Sequence, residues 1–134
     1  MTKHAKQVKK LLESYKPAFM KMMRAKENIE RCKSQLLRSP ALNGMPHGSD
    51  LRDISDYVAE LEKLKRQSEI VIQREGEKMQ KVHRAIDQLI GIDNTILSYR
   101  YLDFMSFTDI AIKLELTSNA VYLRHNKALE RIKL

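Results

Sequence analysis

Apolar residues recur at every seventh position in the first third of the chain: Val8, Tyr15, Met22, Ile29 and Leu36. Leu11, Leu12, Ala18, Phe19, Ala25 and Cys32 fill the complementary series. A 3.5-residue spacing held over several heptads predicts a helix lying along another helix. Pro17 falls inside the pattern, where it removes a backbone donor and crowds the preceding turn. It predicts a kink, or a fresh start near Ser14. A second series follows at Ile54, Leu61, Ser68, Glu75, Val82 and Leu89, joined by Tyr57, Leu64, Val71, Ile72, Met79, Ala85 and Ile86. Glu75 and Gly76 weaken this seam and predict a loosened or bent helix there. Between the two series stands SPALNGMPHGS, residues 39–49, whose prolines, glycines and asparagine spell a loop. Ser49 or Asp50 is placed to cap the second helix, and Asp53 and Asp56 suit its positive end.

Two long helices joined by a short loop make an antiparallel hairpin, coiled-coil-like in its spacing. Each carries one narrow apolar stripe, buried either by the other or in a homo-oligomer; the sequence leaves both open. Gly91 then ends the second helix, with Asp93 placed to cap the next. Three short helices are expected at about 94–102, 106–114 and 118–133. Ser106 is an N-cap with Asp109 three residues on, and Thr117 or Ser118 starts the last helix. The expected fold is therefore all-α: a basic amphipathic helix over 1–38, a loop over 39–49, the second hairpin helix over 50–90, and a helical module over 91–134.

Composition narrows the class. No apolar run reaches the roughly 18 residues of a membrane span, and the basic N-terminus lacks the apolar core of a signal peptide. A cytoplasmic protein is expected, and the lone Cys32 fits a reducing compartment. The chain carries a formal charge of +8, distributed unevenly. Residues 1–38 hold eleven Lys/Arg against three Glu, residues 49–94 eight against ten, and residues 95–134 six against four. A cationic first helix favours a polyanion through Coulomb attraction and counterion release; the plainer reading is a solvated face. His4, His47, His83 and His125 share no ligand spacing with Cys32 or a carboxylate pair, so no metal is expected. No phosphate-binding glycine loop, nucleophile elbow or converging carboxylate pair is present, so neither a cofactor nor catalysis is expected.

The stretch SFTDIAIKLELTSNAVYLRHNKALERI, residues 106–132, carries the candidate chemistry. It reads as a short helix, a three-residue corner and a longer helix. Phe107, Ile110, Ala111 and Leu114 form an inner face on the first, and Val121, Ala128, Leu129 and Ile132 on the second, with Leu116 in the corner. His125 lies near that inner face as a half-buried packing residue. Ser118, Asn119, Tyr122, Asn126 and Lys127 then point outward, and Asn engages adenine bidentately. Thr108, Lys113, Arg124 and Arg131 are placed for phosphates, which position without specifying. Leu123 falls outside the inner face, facing a thymine methyl, a partner or solvent.

Residues 94–134 resemble region 4 of sigma factors, in the approach helix around Arg100–Tyr101, in SFTDIAxxL and in the ALERI close. More narrowly, the whole chain is similar to ArpU/RinA-like phage late-transcription regulators, through the GMPHGS loop at 44–49 and VYLRHNKAL at 121–129. In that pattern Leu123 and Arg124 stand exchanged. The resemblance implies a helix-turn-helix activator of phage late genes that binds double-stranded promoter DNA, with host RNA polymerase as a second partner. With about +2 on its own, the isolated module is expected to bind weakly, dimerisation or polymerase contact supplying the rest. Two rivals stand beside it. One is a small-terminase-like DNA-packaging recognition subunit; the other is an interaction module that binds polymerase or another protein.

Overall fold

The computed structural model describes residues 1–37 and 51–134, with side chains from Ile54 onward in the second stretch. The expected loop at 39–49 and its Ser49 or Asp50 cap lie outside the described residues, as does the side chain of Asp53. Every described element is helical, and no strand occurs among the described residues.

The N-terminal heptad series breaks at the proline. Helix α1 (Lys3–Glu13) ends at Ser14 and α2 (Tyr15–Leu37) begins directly after it. Pro17 stands third in α2, a position whose N–H has no intrahelical acceptor, so nothing is lost there. Ser14 closes α1 by donating its hydroxyl to the Leu11 carbonyl. At the other end Thr2 accepts from the Ala5 N–H at 3.1 Å. Helix α3 (Leu51–Asp87) runs unbroken through Glu75 and Gly76, against the expected loosening. A Cβ at Gly76 would lie 3.0 Å from the Met22 methyl, the movable end of a flexible side chain.

The described residues form two compact units, Met20–Gly76 and Met1–Phe19 with Glu77–Leu134. In the first, Ala25 and Cys32 of α2 and Leu61, Ser68 and Glu75 of α3 are buried, each line at heptad spacing. Small residues on these lines shorten the distance two helices need to pack.

The second unit departs from the expected partition. Its main core gathers Ala5, Val8, Leu12 and Tyr15 from the N-terminal end, Val82, Ala85 and Ile86 from the end of α3, Leu89, Leu97 and Tyr101, Ala128 and Leu129 from the last helix, and Ile132 just after it. The first residues of the chain thus belong with its last ones rather than with 20–38 alone. His4 Nε2 is 2.6 Å from the Ile132 carbonyl and ties the two ends. The connection after α3 is also rebuilt. Gly91, at φ 72, precedes α4 (Ile92–Leu97), and Asp93 lies in that helix's first turn rather than capping it. Asn94 caps backwards, its amide donating to the Ile86 and Leu89 carbonyls at 3.1 and 2.9 Å. A π-helical turn, Ser98–Leu102, continues α4. Two further helices follow, α5 (Phe107–Leu114) and α6 (Ser118–Arg131).

Candidate nucleic-acid interface

Helices α5 and α6 are held by matched capping. Ser106 Oγ accepts from Asp109 N–H at 3.1 Å, and Thr117 Oγ1 accepts from Ala120 N–H at 3.1 Å. The corner between them is a Schellman closure. Leu116 N–H donates to the Ala111 carbonyl at 2.9 Å, and Glu115 N–H to the Ile112 carbonyl at 3.3 Å. Glu115 supplies the left-handed residue, at φ 56, a conformation costing an L-residue about 1–2 kcal/mol. Leu116 then packs on the small core of Ile96, Ile110, Ala111 and Val121. Glu115→Gly is expected to stabilise the protein by roughly 0.5–1 kcal/mol, the relieved strain partly offset by glycine's freedom in the unfolded chain. A higher urea midpoint at unchanged slope checks it.

On the α6 inner face Val121 and His125 meet α5, Val121 in the core with Ile110 and Ala111 and His125 through the Phe107 ring. Ala128, Leu129 and Ile132 turn to the core shared with α1 and α3, a correction to their expected packing on Ile110 and Leu114. His125 is fully buried rather than half-buried, at 1% exposure. Its Nδ1 lies 3.0 Å from Asn126 Oδ1 and its Nε2 2.6 Å from Tyr101 Oη. An amide oxygen only accepts, so Nδ1 carries the proton and Tyr101 donates to Nε2. The ring also meets the Phe107 ring edge-on at 4.9 Å. Burial is the main reason its pKa lies below the ordinary histidine value; the Asn126 bond opposes this, while Arg100 and Lys9 add to it. Burial likewise raises Tyr101, helped by Glu13.

The outward groups of α6 are where the period places them. Ser118 and Asn119 are exposed on its first turn, Leu123 is 52% exposed, and Lys127 is exposed one turn further on. Tyr122 is 46% exposed and is braced edge-on by Phe107 at 5.6 Å. Asn126 is half-buried and its carbonyl oxygen is taken by His125, which leaves its amide donor for anything outside. On α5, Thr108 is exposed, and exposed Lys113 sits over the Tyr99 ring at 4.7 Å. Arg124 and Arg131 turn to the flank, where both address Asp93, at 4.0 and 2.9 Å. The outward groups are therefore one set along α6, while Thr108 and Lys113 stand apart on α5.

Two features escaped the sequence reading. Asp93, which local sequence marks only as a cap, is drawn between two arginines of α6. The charge of the unit also differs from that of its C-terminal sequence alone. Counted over Met1–Phe19 and Glu77–Leu134, fourteen Lys/Arg stand against eight Asp/Glu, because α1 brings its lysines to the unit that carries α6. Lys3, Lys6 and Lys10 are exposed, while Lys9 pairs with Glu13 at 3.7 Å. Among the described residues no group of three or more His, Cys, Asp or Glu is placed to hold a metal, and no helix is long and apolar enough to cross a membrane. No protein-family model, no curated protein and no solved structure matches the chain.

Proposed function

We propose that this chain is a double-stranded-DNA-binding transcription regulator of the sigma-region-4-like, ArpU/RinA-like kind, activating phage late genes. In this reading α5 and α6 act as a helix-turn-helix. Helix α6 enters the major groove, and Asn119, Ser118 and Tyr122 read base edges. Thr108, Lys113, Arg124, Lys127 and Arg131 supply phosphate affinity. The observation that carries the reading is the exposed Ser118–Asn119 end of α6, opposite a face closed by Val121, His125, Ala128 and Leu129. The six-charge excess of its unit supports an anionic partner. The heptad-spaced helices of Met20–Gly76 serve as a coiled-coil-like hairpin that sets oligomer geometry.

The test is footprinting of the purified protein on the late promoter region of its own genome, with Asn119→Ala alongside. Loss of site preference, by about tenfold for one bidentate base contact, with nonspecific affinity kept, is the expected result. An unchanged footprint removes Asn119 from the readers. No binding to any duplex at low salt removes the DNA reading itself. A second reading has its own observation: Ile112 and Leu123 are 73% and 52% exposed, apolar groups that suit a protein partner such as polymerase.

A further inference from the structure

Arg124, Lys127 and Arg131 follow one another along one flank of α6 and, with Asp93 from α4, border a single surface cavity. The two arginines are seven residues apart, so they fall almost in line along the helix, two turns from one another. Asp93 lies between them. Its Oδ2 takes an N–H from Arg131 at 2.9 Å, and its Oδ1 is 4.0 Å from an Arg124 nitrogen. The carboxylate is largely enclosed, with 15% of its side chain exposed, whereas Arg124 and Arg131 keep 51% and 65% of theirs open. Each guanidinium has five N–H donors in a rigid fork. One carboxylate uses a few of them and leaves the others facing outward beside the Lys127 ammonium. Three cations around one anion also leave the cluster two charges in excess.

From this we infer that the cavity is a seat for one phosphodiester of the DNA backbone, held by Arg124, Arg131 and Lys127 with Asp93 fixing the forks. The inference rests on the proposed DNA binding and adds to it the point at which the strand crosses α6. One side of α6 reads bases, and this flank grips the strand beside the groove. A phosphate suits the seat better than a carboxylate of an acidic peptide. It presents three-dimensional acceptors that two forks and an ammonium can engage together, while one planar carboxylate is already supplied from within.

The experiment is fluorescence anisotropy of the full chain with a labelled mixed-sequence duplex, over a range of potassium chloride concentrations. Losing one phosphate contact makes the negative slope of log K against log salt shallower by about 0.9. The Arg124→Ala/Arg131→Ala variant is expected to make it shallower by that amount and to weaken binding about tenfold at about 0.1 M salt, equally on duplexes of different sequence. Lys127→Ala, at an exposed position with no share in the core, is expected to act in the same direction and guards against misfolding of the double variant. Arg131→Lys keeps the charge but loses the fork, and is expected to recover only part of the affinity. The charge-matched Lys21→Ala/Lys26→Ala variant of α2 should keep a steeper salt dependence than the seat variants do.

Equal slopes for the seat and control variants overturn the seat, since net charge alone would then explain the loss. A wild type that binds duplex with a slope unmoved by any seat substitution overturns it too, while leaving DNA binding intact. A wild type that binds no duplex at about 50 mM salt removes the proposed function first. Inorganic phosphate separates the sources of the ligand. If it titrates wild type and not the double variant, while duplex affinity stays unchanged between them, the seat belongs to a free anion and the backbone assignment fails.

Discussion

Leu12→Ala will destabilise the unit that carries α5 and α6 by about 2–5 kcal/mol, although Leu12 lies over a hundred residues before α6 in the chain. Leu12 is fully buried in the core that also contains Ala128 and Leu129 of α6 and Ile132 just beyond it. Truncation removes three carbons from a site walled by several helices, and a wall made of helices collapses little around the void. The cost is therefore the lost transfer free energy plus a cavity term, not the smaller cost of shortening an exposed helix. Amide exchange locates the effect. Val121, His125 and Leu129 of α6 should exchange faster by the same free energy, together with Val8 of α1, because one cooperative core holds them. Met20–Gly76 should keep its protection. Loss confined to α1, with α6 protection unchanged, would show that the N-terminal helix merely decorates the unit.

That result bears on what a heptad pattern can say. Val8, Leu12 and Tyr15 share the register of Ala18, Ala25 and Cys32, so periodicity reads them as one stripe with one partner. The break at Ser14 is legible, since Pro17 demands it. The change of partner along the stripe is not, because an apolar face is the same whether α3 or α6 covers it. The charge distribution was misread for the same reason. Division by sequence puts the four lysines of α1 far from α6, whereas tertiary packing brings them, with Lys16 of α2, into its unit.

The candidate interface divides along similar lines. The caps at Ser106 and Thr117, the corner between the helices and the outward placement of Asn119 and Leu123 all follow from local chemistry and a 3.6-residue period. They need no distant residue and were legible. Asn126 sits where the same period points it outward, yet its oxygen is spent on His125, whose tautomer is set by Tyr101 on another element. Asp93 reaches Arg124 and Arg131 across a separation of more than thirty residues, and nothing in its own neighbourhood announces them. Contacts fixed within one turn can be read from the chain, while contacts fixed by a second helix cannot.

Acidification from about pH 6.5 towards pH 5 will lower the melting temperature of wild type more than that of His125→Gln. The buried ring is neutral in the fold, with its proton on Nδ1 and its Nε2 accepting from Tyr101. Protonation puts a donor on Nε2, where the tyrosine hydroxyl already donates, and places a charge in a site with 1% exposure. Burial therefore holds the folded pKa below the ordinary value, and Arg100 and Lys9 push the same way; Asn126 and Glu13 oppose without reversing it. The sign follows from proton uptake. Above the unfolded value of about 6.5 neither state binds the proton, and the His125 contribution is complete. Below it the unfolded chain takes the proton first, so stability falls as pH drops through the depressed folded value. The carboxylates and His4, His47 and His83 are common to both proteins, so the difference between the two melting curves isolates His125. Tyr101→Phe adds an independent check, because it strands Nε2 without a donor at a cost of about 1–3 kcal/mol at neutral pH. It should also lessen the penalty of protonation, since no hydroxyl then opposes the new N–H. Parallel pH profiles for wild type and His125→Gln would mean that the imidazole reaches solvent, and the neutral tautomer assigned to the Tyr101–His125–Asn126 chain would be wrong.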